Sequence, residues 1–479
     1  MEESEVGRCR WDMNKVPFAI LLLLSPFTFL ANPFIGVPGI DSSIFIHVAR
    51  GIINGLIPYR DVFDQKGPLL YFIDVIGLAC GGVLGIWLLD IIVFYLVMWV
   101  FWQICITVFG VQSDVRKSLI LVSGIISILY HGMACGGNMP EMWIAFFEGV
   151  AWYVLLRCVM KGEVLNIEGF LMGVCIGAVL MLKLNMIGIA LPVAIHCLSS
   201  NTNNGRRSVF TIIAGVIVVV LPIILWFACC GGLGALWEVY VCYNAQYAKT
   251  MQSGKSLISI VTSRFFWPIV VVLAVNIWWM VICRRTELWN VARLNFVFLA
   301  VDFMLIIVSG GSPRYYGPVL PACVLPICFL LGRLKFNKVL SLNVMTACVL
   351  FTSALVFVRN YGNMEREKYD ALRVLGESAG VVGSDSVMVL GCDCYAYKML
   401  DAWCPSRFVF QGTIGKCSER YRTKIIEEIY SGKIRFIVAP KGTLHRSSNF
   451  GMSWAKNTVE HFYRRLSSNE DYDIWIRKS

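Results

Sequence analysis

Charge is scarce in this chain. Asp, Glu, Lys and Arg make up 15% of its 479 residues, against 57% hydrophobic residues. A soluble globule carries about a quarter charged residues. The shortage excludes an ordinary water-soluble domain and points to a membrane protein with many spans. It is also uneven, because 33 charged residues crowd into the last 121 positions, Arg359 to Ser479. The chain therefore reads as a membrane part over 1–358 and a soluble α/β part over 359–479.

Other absences narrow the chemistry. No Walker motif, Rossmann fingerprint or nucleophile elbow occurs, which argues against nucleotide phosphates and serine-type hydrolysis. The five histidines show no paired ligand spacing. There is no CxxC pair, and Cys392-x-Cys394 is a weak metal signal. Eighteen cysteines suggest a disulfide scaffold by number alone. Most lie inside apolar runs, where Cys behaves as a small apolar residue; Cys392, Cys394, Cys404 and Cys417 are the ones free to pair in the soluble part. No small-residue cleavage site follows the run 16–30, which reads as a retained span.

Apolar runs of span length fall near 16–34, 86–109, 118–135, 142–160, 167–183, 186–199, 208–230, 265–283, 291–310, 315–332 and 338–358. The expected fold is thus a polytopic α-helical membrane protein of about 11 spans with interfacial helices in its outer loops. Net charge is +11, but the basic residues sit in "SDVRK", "MKGE", "NTNNGRR", "CRRTE" and "GRLKFNK", between runs. Such clusters set topology and argue little for nucleic acid. With these connectors in the cytoplasm, residues 35–85, "GGNMPE", 231–264, "GGSPRYYG" and the C-terminal part lie outside. Pro68 to Gly82 is apolar but short and reads as interfacial or re-entrant. The run 167–199 would reach about 50 Å as one helix, so it should break at "LKLN", near Lys183. In the tail, "SVMVLG", "RFVFQ", "IRFIVAP" and "YDIWIRK" are predicted strands among helices.

The unusual polar residues of the membrane part all fall on the outer side of this topology. Ionisable groups at membrane depth are costly and usually functional. Asp41 precedes "SSIFIHVARGI", where it could serve as a helix N-cap. "DVFDQKGPLLYF" sets Asp61, Asp64 and Lys66 at the mouth of an apolar segment. Lys66 could be an interfacial anchor or could meet the phosphate of a lipid. Glu141 opens a helix in "GGNMPEMW", where the helix dipole alone could account for it. Asn138 of the same loop is a further candidate for substrate contact. "GGSPRYYGPVLP" adds Arg314 and Tyr315, and Lys183 interrupts an apolar run.

Together these motifs resemble the bacterial GT-C glycosyltransferases of the family 39 type, relatives of protein O-mannosyltransferases and aminoarabinose transferases. "KGPL" at Lys66–Leu69 is similar to their K-P-P-L signature, with Gly67 in place of a proline. "GGNMPEM" resembles their second outer loop and "SPRYYGPVLP" their late tyrosine loop. The likeness spans about residues 16–335. It departs at Ser42, where many members carry a second acidic residue, and at Glu141, where some have Asp. The resemblance implies transfer of a sugar, a hexose or a pentose, from a polyprenyl-phosphate donor to a cell-envelope glycan, lipid or protein, with inversion, at the outer face of a bacterial plasma membrane. It implies Asp41 and Glu141 as the carboxylates. Lys66, Arg314, Tyr315 and Lys183 would hold phosphate, with Asp61, Asp64 and Asn138 around them. It leaves room for a divalent metal and demands no other cofactor. The competing class is a lipid-linked sugar transporter or flippase, which would also carry charge at membrane depth and a broken helix. The lack of repeated halves and the crowding of polar residues on one face count against it.

The assigned sidedness makes a direct prediction. Single cysteines replacing Ser384 and Ser312 should react with an impermeant thiol reagent from outside, and those replacing Ser113 and Asn203 from inside. Outside labelling at 113 would invert the topology.

Overall fold

The computed structural model describes residues 33–34, 36–110, 137–199, 203–253, 261–262, 266–309, 315, 317–333, 366–391, 393–447 and 451–479. Helices α1 (Ile40–Ile53) and α2 (Pro68–Gly81) flank a loop and lead into α3 (Val83–Phe109). Then follow α4 (Pro140–Lys161), α5 (Asn166–Leu182), α6 (Ala190–Ser199) and α7 (Asn203–Cys229). A short α8 (Leu233–Leu236) runs through a π-helical segment, Trp237–Tyr243, into α9 (Asn244–Ser253). Helices α10 (Phe266–Cys283), α11 (Leu288–Val308) and α12 (Leu320–Arg333) complete the apolar bundle.

Among the described residues five helical stretches are long and apolar enough to cross a membrane: α3, α4, Ser208–Cys229 of α7, α10 and α11. Helices α5, α6 and α12, where spans were also expected, are shorter apolar helices. The expected spans 118–135 and 338–358, and nearly all of 16–34, lie outside the described residues. The run 167–199 breaks as its sequence predicts, with Lys183 as the C-cap of α5. Helix α2 has 14 residues, about 21 Å, too short to cross upright a core about 30 Å thick.

Helices α5 and α7 pack nearly backbone to backbone. Gly169, Gly173 and Gly177 recur every fourth residue along α5 and face α7. A methyl on Gly173 would stand 2.0 Å from the Ile212 carbonyl oxygen, and one on Gly215 would stand 2.2 Å from that of Phe170. In lipid, where apolar side chains gain nothing by leaving the solvent, such close approach supplies the packing energy.

The loop between α1 and α2 is docked on the end of α5. The Gly67 N–H donates to the Leu182 carbonyl at 3.0 Å. A methyl on Gly67 would lie 2.1 Å from the Met181 oxygen. A proline here would lose the donor and clash, which accounts for the glycine in "KGPL". The Tyr59 hydroxyl donates to the Lys66 carbonyl at 2.7 Å and braces the loop from within.

The tail forms α13 (Arg366–Ser378), β1 (Val387–Val389), α14 (Tyr395–Met399), α15 (Gly412–Cys417) and α16 (Glu419–Tyr430). Next come β2 (Phe436–Pro440), α17 (Lys456–Phe462), β3 (Tyr463–Ser468) and β4 (Tyr472–Arg477). The sheet order is β1-β2-β4-β3, with β1 parallel to β2 and the other pairs antiparallel. "RFVFQ" is not a strand. It is held instead by Gln411, whose side-chain amide donates to the Val389 and Phe408 carbonyls and accepts from the Gly391 N–H. Cys404 and Cys417 are free thiols, the Cys394 thiol donates to the Val409 carbonyl at 3.5 Å, and Cys392 lies outside the described residues. The tail packs on the α1–α2 loop. The Phe63 N–H donates to the Arg407 carbonyl at 2.7 Å, and His47 stacks on Trp403 with centroids 4.4 Å apart. Burial, then Arg50, lowers the His47 pKa to about 3, so the stacked ring is neutral.

Gly67→Pro and Gly67→Ala should both lower the unfolding midpoint of the detergent-solubilised protein. An unpaired buried carbonyl costs roughly 1–3 kcal/mol. A wild-type midpoint in both would contradict the docking of the loop on α5.

Candidate active site

Four separate segments meet around one cavity of about 320 Å³. The α1–α2 loop contributes Gln65 and Lys66, and the α5–α6 break contributes Lys183, Leu184 and Asn185. Helix α9 and the π segment give Val241, Asn244 and Tyr247, and the end of α11 and the loop after it give Ser309 and Tyr315. Sequence distance is bridged by specific ties. The Asn244 amide donates to the Gln65 carbonyl at 2.7 Å and fixes α9 to the loop. The Tyr240 hydroxyl donates to the Leu180 carbonyl at 2.6 Å and fixes the π segment to α5.

Lys66 is half-buried, and its ammonium lies 5.6 Å from the centroid of the Phe45 ring. Burial alone would lower its pKa. The negative charges of Asp41 and then Asp64 outweigh burial and hold it above the ordinary lysine value. Lys66 is thus a fixed cation at neutral pH. Asp64 is 2% exposed and accepts from the Tyr71 hydroxyl and the Gln65 N–H, both at 2.7 Å. Burial raises its pKa, opposed by Lys66. Asp41 lies in the first turn of α1. The N-cap is Gly39, so Asp41 is not the cap that its sequence position suggests. It does not line the cavity, but its charge acts on Lys66 and on Tyr247, which do.

Lys183 and Glu141 form a buried ion pair. Lys183 Nζ lies 2.7 Å from Glu141 Oε1, with side chains 13% and 6% exposed. The same ammonium sits 3.6 Å from the centroid of the Tyr315 ring. Glu141 is in the first turn of α4, where the helix dipole also favours its charge. Gly317 closes over it, since a methyl there would stand 3.1 Å from Glu141 Cβ. The pair places Glu141 as the counter-ion of Lys183. Lys183 takes up Glu141 Oε1 in this arrangement. Among the described residues no group of three His, Cys, Asp or Glu side chains is placed to hold a metal ion.

The candidates do not all converge. Asp61 turns away to bind Arg60 at 2.8 Å and to accept the Ile57 N–H at 2.8 Å. Arg60 in turn donates to the Cys230 carbonyl at 2.9 Å. Asn138 has φ 51 and is strapped by Asp90, which accepts its N–H at 2.6 Å, and by Asp74, which accepts from its amide at 3.0 Å. It orients the turn before α4. Arg314 lies outside the described residues. Tyr247, Asn244 and Ser309 were not singled out by sequence, and Asn185 was read only as part of the break at "LKLN". Tyrosine and amides in a polar stretch, "NAQYAKT", directly after an apolar run were the available signal. Burial, then the charge of Tyr315, pushes the Tyr247 hydroxyl up to about 12, so it remains a proton donor at neutral pH.

The fold is that of the GT-C membrane glycosyltransferases. The chain is similar to ArnT from Cupriavidus metallidurans bound to undecaprenyl phosphate, with TM-score 0.65 and 13% identity over 96% of this chain and 97% of that one. It is also similar to the Archaeoglobus fulgidus oligosaccharyltransferase in complex with Zn and sulfate, with TM-score 0.55 and 14% identity over 96% and 73%. The oligosaccharyltransferase AglB from the same organism, in complex with an inhibitory peptide and a dolichol-phosphate, matches with TM-score 0.50 and 12% identity over 98% and 74%. No family model and no curated protein sequence matches the chain.

Breaking a buried pair by removing one partner typically costs about 3–5 kcal/mol, whereas replacing both can be nearly neutral. Lys183→Met and Glu141→Leu should therefore each destabilise the protein more than the double variant Lys183→Met/Glu141→Leu does. Thermal unfolding of the three would show it, and additive losses would argue against the pair.

Proposed function

We propose that the chain is an integral-membrane glycosyltransferase. It would take a hexose or pentose from a polyprenyl-phosphate carrier and pass it, with inversion, to a cell-envelope glycan, lipid or protein outside a bacterial plasma membrane. The observation that carries this reading is the meeting of Lys66, Lys183, Tyr247 and Tyr315 on one cavity at the end of an apolar bundle. Two ammonium groups and phenolic hydroxyls suit a phosphate, and the bundle suits its tail. The ArnT neighbour holds undecaprenyl phosphate and the AglB neighbour a dolichol-phosphate, which supports a lipid-linked donor.

In the proposed reaction an acceptor hydroxyl attacks the anomeric carbon from the side opposite the phosphate. The new carbon–oxygen bond forms as the bond to the phosphate oxygen breaks, and the hydroxyl proton passes to Asp41. The polyprenyl phosphate leaves with the electron pair. Cations and hydroxyls placed in advance stabilise that growing charge without reorganising. Lys66 is the main such group, because Asp41 and Asp64 hold it protonated. An ionised carboxylate within reach suffices as the base for a hydroxyl.

Two variants separate the roles. Lys66→Ala should weaken binding of undecaprenyl phosphate about 10- to 150-fold, the worth of one charge-assisted hydrogen bond. Asp41→Asn should leave that binding near wild type while turnover falls about 100- to 10,000-fold. An unaltered dissociation constant in Lys66→Ala would remove the phosphate from this cavity. Normal turnover in Asp41→Asn would remove Asp41 as the base.

A further inference from the structure

The break between α5 and α6 is gripped from two sides by acids that the proposed reaction does not use. Helix α4 presents Glu141 and, two turns on, Glu148. Helix α11 presents Asp302, and two turns on lies Ser309. Residues seven apart lie on one helix face. All four side chains meet the break. Glu141 binds Lys183, and the Ser309 hydroxyl accepts from the Asn185 amide. Glu148 Oε1 takes the Ile189 N–H in a long contact of 3.5 Å and faces the Gly188 N–H. Asp302 is so close to Gly188 that a methyl there would stand 1.5 Å from its Oδ1.

Glu148 and Asp302 are 0% and 2% exposed, and Glu148 Oε2 and both Asp302 oxygens have no hydrogen-bond partner among the described residues. Carboxyl groups in such a place are expensive. Their position gives the reason. The N–H groups of Ala190, Leu191 and Val193 bond back to the Ile187, Gly188 and Ile189 carbonyls. The donors left over are those of Gly188 and Ile189 just before α6, which face Glu148 while Asp302 packs on Gly188, and in an apolar bundle water does not satisfy them.

We propose that Glu148 and Asp302 are positioning residues that lock the segment 183–189, so that Lys183 and Asn185 stay on the cavity wall. The lock stands on this geometry; its consequence for the donor phosphate rests on the function proposed above.

The test uses full-length protein carrying Leu184→Cys, a cavity-wall position. Modification by a water-soluble maleimide is followed on that peptide by mass spectrometry. Glu148→Leu and Asp302→Leu should speed labelling about 10-fold by raising the open population of the segment. Glu148→Gln keeps an oxygen acceptor and Asp302→Asn keeps the shape packed on Gly188, so both should label near the background rate. If the leucine variants do not fold, Gly188→Ala drives the segment and Asp302 apart, and the same acceleration is expected. An unchanged rate in any folded leucine or Gly188→Ala variant overturns the lock. So does equal acceleration by the Gln and Asn variants.

Binding of undecaprenyl phosphate is read in parallel. If Glu148 acts through Lys183, then Lys183→Ala/Glu148→Leu binds no more weakly than Lys183→Ala alone. Losses that multiply overturn the positioning role. Faster labelling together with wild-type lipid affinity in Lys183→Ala would keep the lock and remove the phosphate reading.

Discussion

A cation at the end of an apolar bundle must be answered by a nearby anion, and the rest of this site follows from that constraint. Two lysines meet it differently. Lys183 is neutralised directly by Glu141 at 2.7 Å, in a pair almost closed to solvent. Lys66 is held charged by Asp41 and Asp64 acting from a distance. The first arrangement fixes a side chain in place. The second leaves a positive charge facing a cavity, which the proposed function fills with a phosphate.

The surrounding structure serves that difference. Gly67 lets the Lys66 loop lie directly on the α5 carbonyls. The α5–α6 break brings Lys183 to the same cavity, and the glycine face of α5 anchors this broken helix to α7. The C-terminal part seats Trp403 on α1 and Arg407 on the α1–α2 loop. The two parts share one hydrophobic cluster, in which Phe63 touches both Phe408 and Tyr421. The C-terminal part therefore helps to hold the loop that carries Lys66.

Much of this was legible in sequence, where one local rule decided the outcome. An ammonium in the middle of an apolar run had to break the helix, and α5 ends at Leu182. A short, glycine-ended apolar segment had to be something less than a span, and α2 has 14 residues. What sequence could not reach depended on partners far along the chain. Asp61 and Asn138 look like site residues beside Lys66 and Glu141, yet Arg60 claims one and Asp74 and Asp90 claim the other. Asp41 reads as a cap until Gly39 is seen in that place. Tyr247 matters because the π segment turns it toward Lys66, which no periodicity announces. "RFVFQ" has the composition of a strand, but the Gln411 side chain replaces the ladder.

The central claim is that the cavity between Lys66 and Lys183 receives a lipid phosphate. A density map of the full-length protein in lipid nanodiscs with undecaprenyl phosphate tests it most directly. The account predicts a phosphate within hydrogen-bonding distance of Lys66 Nζ, with the prenyl chain running from the cavity along the apolar bundle. A phosphate bound elsewhere, with this cavity holding solvent alone, would contradict it.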